Sequence, residues 1–87
     1  MLDIKMGVRE DYQFALDSGE FSGSMTKALR YTAALNPQAS RHEFVAALGE
    51  MGVHPGTATK QFALSRKFDA ENYGAQFDKD GRALNDY

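Results

Sequence analysis

The chain has 87 residues, 43% of them hydrophobic and 25% charged, with a formal net charge of −2 and no cysteine. That length fits one compact domain with a core but no deep pocket, and the composition is that of a folded protein, not a disordered tail. The lack of cysteine excludes a disulfide framework and thiolate zinc sites, and no apolar run has the length of a signal peptide or a membrane span. The expected compartment is therefore the cytoplasm, with no membrane partner.

Leu2, Ile4 and Met6 alternate with Asp3 and Lys5, the pattern of a short strand. From Val8 the period becomes helical, with Val8, Tyr12, Ala15 and Leu16 on one face and Gly19 placed to close the helix. Residues 19–24 read as a loop in which Phe21 turns back to the core. A second helix starts at the N-cap Ser24 and carries Ala28, Tyr31 and Leu35 as its inward stripe, with Met25 and Leu29 beside it. Asn36-Pro37 ends it, because proline cannot continue the hydrogen-bond ladder.

Ser40-Arg41-His42-Glu43 has the form of a capping box, and Phe44, Ala47, Leu48 and Met51 follow at the spacing of a buried stripe. Gly52 stands where a left-handed residue closes a helix, and Pro55 suits the first position of the next one. In that last helix Ala58, Phe62 and Ser65 share one face, with Gln61 and Phe68 at its edge. Lys60, Ala63 and Lys67, flanked by Gly56 and Thr59, fall on the opposite side. The core expected from these stripes is Phe44, Ala47, Leu48, Met51, Ala58 and Phe62. Asp80-Gly81 is a hairpin-turn signal, read either as a small β wing or as a turn in an ordered tail.

Charge follows the same divisions. Residues 1–23 carry two cations against five anions, and so do residues 68–87. Residues 24–67 carry six cations against Glu43 and Glu50. A polyanion would be drawn to the basic middle and repelled by both acidic ends.

Catalytic motifs are missing. No serine lies in a G-x-S-x-G context, no Gly-Lys-Ser/Thr follows the glycines of the 19–23 loop, and Asp78-Lys79-Asp80-Gly81 lacks the later ligands of a calcium loop. His42 and His54 lie on different helices without a third ligand at convincing spacing, so neither a metal nor another cofactor is expected.

Ser40-Arg41-His42-Glu43-Phe44-Val45-Ala46-Ala47-Leu48-Gly49-Glu50-Met51-Gly52-Val53, followed by a helix from His54 to Lys67, resembles the small helix-turn-helix or winged-helix proteins common in phage and plasmid genomes. In those proteins an S-R-x-E-F-like helix precedes G-V-x-x-x-T-A-x-x-Q and the unit ends in a basic pair. The likeness covers residues 24–67, about half the chain. It implies a mainly α domain of three or four helices containing a helix-turn-helix. Residues 1–23 would be an acidic segment with a short helix, and 68–87 an acidic wing or tail. It further implies that Gly56, Thr57, Thr59, Lys60, Ala63 and Lys67 approach base edges, with Lys27, Arg41 and Arg66 at phosphates. The function expected is a non-enzymatic regulator or accessory protein on double-stranded DNA, with a homodimer as one arrangement. The alternative is a small phage-type inhibitor or adaptor that meets a host protein through Asp69, Glu71, Tyr73, Asp78 and Asp80.

Overall fold

A computed structural model of the chain describes residues 7–21 and 23–84. Four helices occur among them: α1 (Val8–Ser18), α2 (Met25–Leu35), α3 (Arg41–Gly49) and α4 (Pro55–Tyr73). The expected strand over residues 2–6 lies outside the described residues. α2 packs on both α1 and α4, and α3 packs on α4 and α1. The four helices thereby enclose one core, in which Phe44, Leu29 and Leu48 are the largest fully buried apolar side chains. The Phe44 and Phe62 rings meet at a centroid distance of 5.3 Å, joining α3 to α4.

The helix boundaries follow from local chemistry. Gly19 closes α1 at φ 76°, and the Ser24 hydroxyl accepts from the Lys27 amide to open α2. At α3 the capping box is complete: Ser40 Oγ accepts from the Glu43 amide at 3.0 Å, and Glu43 Oε1 accepts from the Ser40 amide at 2.9 Å. Gly52 takes φ 88° in the connector, and the Val53 amide returns to the Leu48 carbonyl at 3.0 Å. Pro55 then begins α4, capped by His54 Nδ1, which accepts from the Gly56 amide at 3.0 Å.

Three expectations are corrected. First, the inward face of α2 is Ala28, Leu29, Thr32 and Ala33; Tyr31 and Leu35 are largely exposed, as is Leu16 on α1. α2 lies between two neighbours and needs a wide buried face of small residues. Thr32 satisfies its hydroxyl on the Ala28 carbonyl at 2.8 Å. Tyr31 instead rests on Phe21, ring to ring at 5.0 Å.

Second, α4 does not stop near Lys67. After Gly56 it contains no glycine or proline until Gly74, which takes φ 68° and gives its amide to the Asp69 carbonyl.

Third, of the two readings of the C-terminal segment, the turn is the one seen, and no wing hairpin occurs among the described residues. Phe77 and Ala83 make one isolated bridge, and there is no strand among the described residues. Asp78 Oδ1 accepts from the amides of Asp80 and Arg82, which closes a tight turn. That turn is folded onto the helices. The Arg41 amide donates to the Asp80 carbonyl and the Ala83 amide to the Pro37 carbonyl, each at 2.8 Å.

Arg66 holds this arrangement together. It is only 6% exposed, and it donates to the carbonyls of Ala33 (2.7 Å), Gly81 (2.8 Å), Asn36 (2.9 Å) and Ala39 (3.0 Å). Its guanidinium lies 4.3 Å from the Phe62 ring centre and 5.1 Å from that of Phe77. Hydrogen bonds to a buried charged group are among the stronger ones, so Arg66→Met should cost about 3 kcal/mol or more in a urea melt. Arg66→Lys should recover little, because an ammonium cannot reproduce the planar fork. An unshifted midpoint for either variant would show that the four carbonyls do not depend on this side chain.

Gly52 and Gly81 separate two kinds of glycine requirement. Both have φ near +90°, but a Cβ at Gly52 would enter open space, whereas one at Gly81 would collide with the Phe62 ring. Gly52→Ala should cost about 1 kcal/mol from backbone strain alone. Gly81→Ala should cost about 2–3 kcal/mol, since Phe62 or the turn must also move. Thermal melts of the two variants measure the difference, and equal losses would mean that the turn does not press on Phe62.

Candidate nucleic-acid interface

The first turns of α4 expose Gly56, Lys60 and Ala63, with Thr57 and Thr59 half-buried on the flanks and Lys67 exposed further along. Helical spacing sets these residues opposite the buried Ala58, Phe62 and Ser65. Lys60 and Lys67 form no ion pair among the described residues. No acidic residue occurs on α4 before Asp69. The result is a helix face of small and cationic side chains supported from behind by α3.

Arg41 is exposed at the first position of α3. It lines a shallow cleft with Ala63 and with Asp78, Lys79 and Asp80 of the C-terminal turn. The turn thus brings carboxylates next to one edge of the α4 face. Asp78 is half-buried and already holds two backbone amides, while the exposed Asp80 lies 3.9 Å from Arg82. Lys27 is exposed in the first turn of α2, whose hydrogen bonds with α4 lie further along, at Arg30 and Ala33.

Two candidate residues are removed from the surface. Arg66, expected at a phosphate, is spent inside the molecule on backbone carbonyls. Asp69, expected on an acidic docking surface, is 8% exposed on the buried face of α4. The remaining acidic candidates form no single patch. Glu71 and Tyr73 are exposed at the far end of α4, whereas Asp78 and Asp80 lie beside Arg41. Gln61, which could have read a base, is buried with Oε1 unpartnered.

Sequence reasoning missed a second surface, the groove between α2 and α4. Arg30, Ala34, Leu64 and Phe68 line it together with Lys67, Glu71 and Tyr73. A signal was available in Leu64 and Phe68, two apolar residues one turn apart and off the buried stripe.

His42 is exposed, His54 caps α4, and no cluster of three ligand-type residues occurs among the described residues. Comparison with known proteins finds no matching family, no curated relative and no solved structure of similar fold.

At the base of α3 the Glu43 carboxyl is held below the usual glutamate range. The Ser40 backbone amide is the largest cause, followed by the Ser40 hydroxyl and then by Arg82, whose Nη2 is 3.2 Å from Glu43 Oε1. A lowered folded value means that Glu43 stabilises the fold above the ordinary carboxylate range. This contribution is lost as pH falls through the lowered value. In an NMR titration of its side chain, Ser40→Ala should raise the Glu43 midpoint part of the way to normal, and Arg82→Ala should raise it less. A midpoint indifferent to both substitutions would refute this account of the cap.

Proposed function

We propose that the chain is a non-enzymatic DNA-binding module of helix-turn-helix type, a regulator or accessory protein in which α3 supports and α4 enters the major groove. The observation that carries this reading is the exposed first half of α4, where Lys60 stands with Gly56 and Ala63 and no acid occurs in that half of the helix. An α-helix with such a face fits the major groove without steric or electrostatic opposition. Arg41 at the start of α3 is placed to neutralise a phosphate alongside, and Lys27 is a further exposed cation.

The contacts divide unevenly between affinity and sequence reading. Lys60, Arg41 and Lys27 offer charge. Thr57, Thr59 and the small side chains of Gly56 and Ala63 offer close approach and methyl contacts. With Gln61 buried, this face lacks the amide that pairs with adenine and the arginine that pairs with guanine. Binding therefore rests chiefly on phosphate charge and groove shape, and sequence preference is weak. The acidic-inhibitor alternative has less support, because Asp69 is buried and Asp78 is committed to its own turn.

Titration of labelled generic duplex, read by fluorescence anisotropy, tests the proposal. Three phosphate contacts imply an affinity loss of about 40-fold between about 50 and 200 mM salt. Lys60→Glu should weaken binding by about tenfold or more with an unchanged circular dichroism spectrum. Asp80→Lys should strengthen it by removing repulsion beside Arg41. No binding at about 50 mM salt, or binding indifferent to Lys60, would overturn the proposal.

A further inference from the structure

The second half of α4 has a different surface from the first. Leu64, Phe68 and Tyr73 are 38%, 55% and 71% exposed, and the rings of Phe68 and Tyr73 are in edge-on contact at 6.1 Å. They form one wall of the groove whose other wall is α2, at Arg30 and Ala34. Apolar side chains gathered in one exposed groove are the usual mark of an interaction site. Lys67 and Glu71 flank them on the same helix, one turn apart and both exposed. Neither forms an ion pair among the described residues. Lysine one turn ahead of glutamate is the weaker order for an intrahelical pair, which leaves both charges available to another molecule.

We propose that this groove pairs two copies of the chain about a twofold axis, with the second halves of their α4 helices antiparallel. The argument is charge complementarity. An isologous interface must match itself, and this patch carries both signs on one stripe. A twofold axis at the level of residue 69 sets position 67 opposite position 71 and position 64 opposite position 74. Lys67 then meets Glu71 of the partner subunit, and the reciprocal pair forms on the other side of the axis. Leu64 faces the Tyr73-Gly74 end of the second helix, where glycine leaves room. A purely acidic or purely basic occupant would leave one of the two charges facing its own kind.

The dimer does not rest on the DNA reading.

Sedimentation equilibrium of the full chain without DNA tests the dimer. The wild type should dimerise reversibly. Lys67→Glu and Glu71→Lys should each weaken dimerisation by about tenfold or more, since each turns two attractions into two repulsions. The double variant Lys67→Glu/Glu71→Lys should return to within about threefold of wild type, and an equimolar mixture of the two single variants should form a heterodimer. Phe68→Ser should be monomeric with an unchanged circular dichroism spectrum. A monomeric wild type at millimolar concentration would overturn the inference. So would a dimer insensitive to Phe68→Ser, or a double variant no better than the singles. Loss of DNA binding alone, with the dimer intact, would count against the proposed function and not against this interface.

Discussion

The guanidinium of Arg66 ties α4 to three other parts of the chain at once: the end of α2, the connector to α3 and the C-terminal turn. α2 ends without a basic residue in its last turn, so its C-terminal end has no compensating cation of its own, although the Asn36 and Ala39 amides already reach the Ala33 and Asn36 carbonyls. Arg66 supplies that cation from α4, through Ala33 and Asn36, and it extends to Ala39 in the connector and Gly81 in the C-terminal turn. The connector between α2 and α3 is thereby fixed, and with it Ser40, whose cap sets where α3 begins. Fixing Gly81 in turn places Asp80 at the Arg41 amide. The positions of Arg41, Asp78 and Asp80 around α4 therefore trace back to one buried side chain.

This use of Arg66 changes the meaning of the charge pattern. A run of six cations in the middle of the chain reads as a basic surface only if all six reach solvent. Arg66 is internal and Arg30 is half-buried beside the α2–α4 groove. The acidic ends are depleted in the same way. Asp11 is buried and accepts from Asn36 Nδ2 at 2.7 Å, and Asp69 is buried on α4. Both the attraction and the repulsion that a polyanion would feel are smaller than the linear sequence implies.

What could be read in the sequence was local. The Ser40–Glu43 box, Gly52 and Pro55 each act over three or four residues, and each was legible because the chemistry that fixes a helix end is carried by its own neighbours. The inward face of α3 followed from spacing alone, since one apolar stripe met one core. Illegible features were those decided by distant partners. The face of α2 turned on its having two neighbours. The wing was replaced by a docked turn because Pro37, Arg41 and Arg66 offered it partners more than 30 residues away in sequence or across the core. Arg66 looked like half of a basic pair with Lys67, but adjacent residues on a helix lie about 100° apart, and that angle separates a buried arginine from an exposed lysine.

The length of α4 gives its two halves separate duties. Nineteen residues make a rod about 28 Å long, longer than the support that α3 can give it. Over its first half, α4 is anchored by Ala58 and Phe62 against Phe44, which frees the opposite side for small and cationic residues. Past Arg66 only Asp69 remains buried, so the last two turns keep their helical form while presenting Phe68, Glu71 and Tyr73 outward. A solvent-facing helix end needs no aromatic residues for its own stability, and polar helix formers would serve as well. Their presence there, next to Lys67 and Glu71, which form no ion pair among the described residues, is what an interface requires and what a free helix end does not. A single rigid helix that binds DNA with one half and a second copy with the other would fix the spacing between two DNA contacts through its own backbone, with no flexible linker between recognition and assembly.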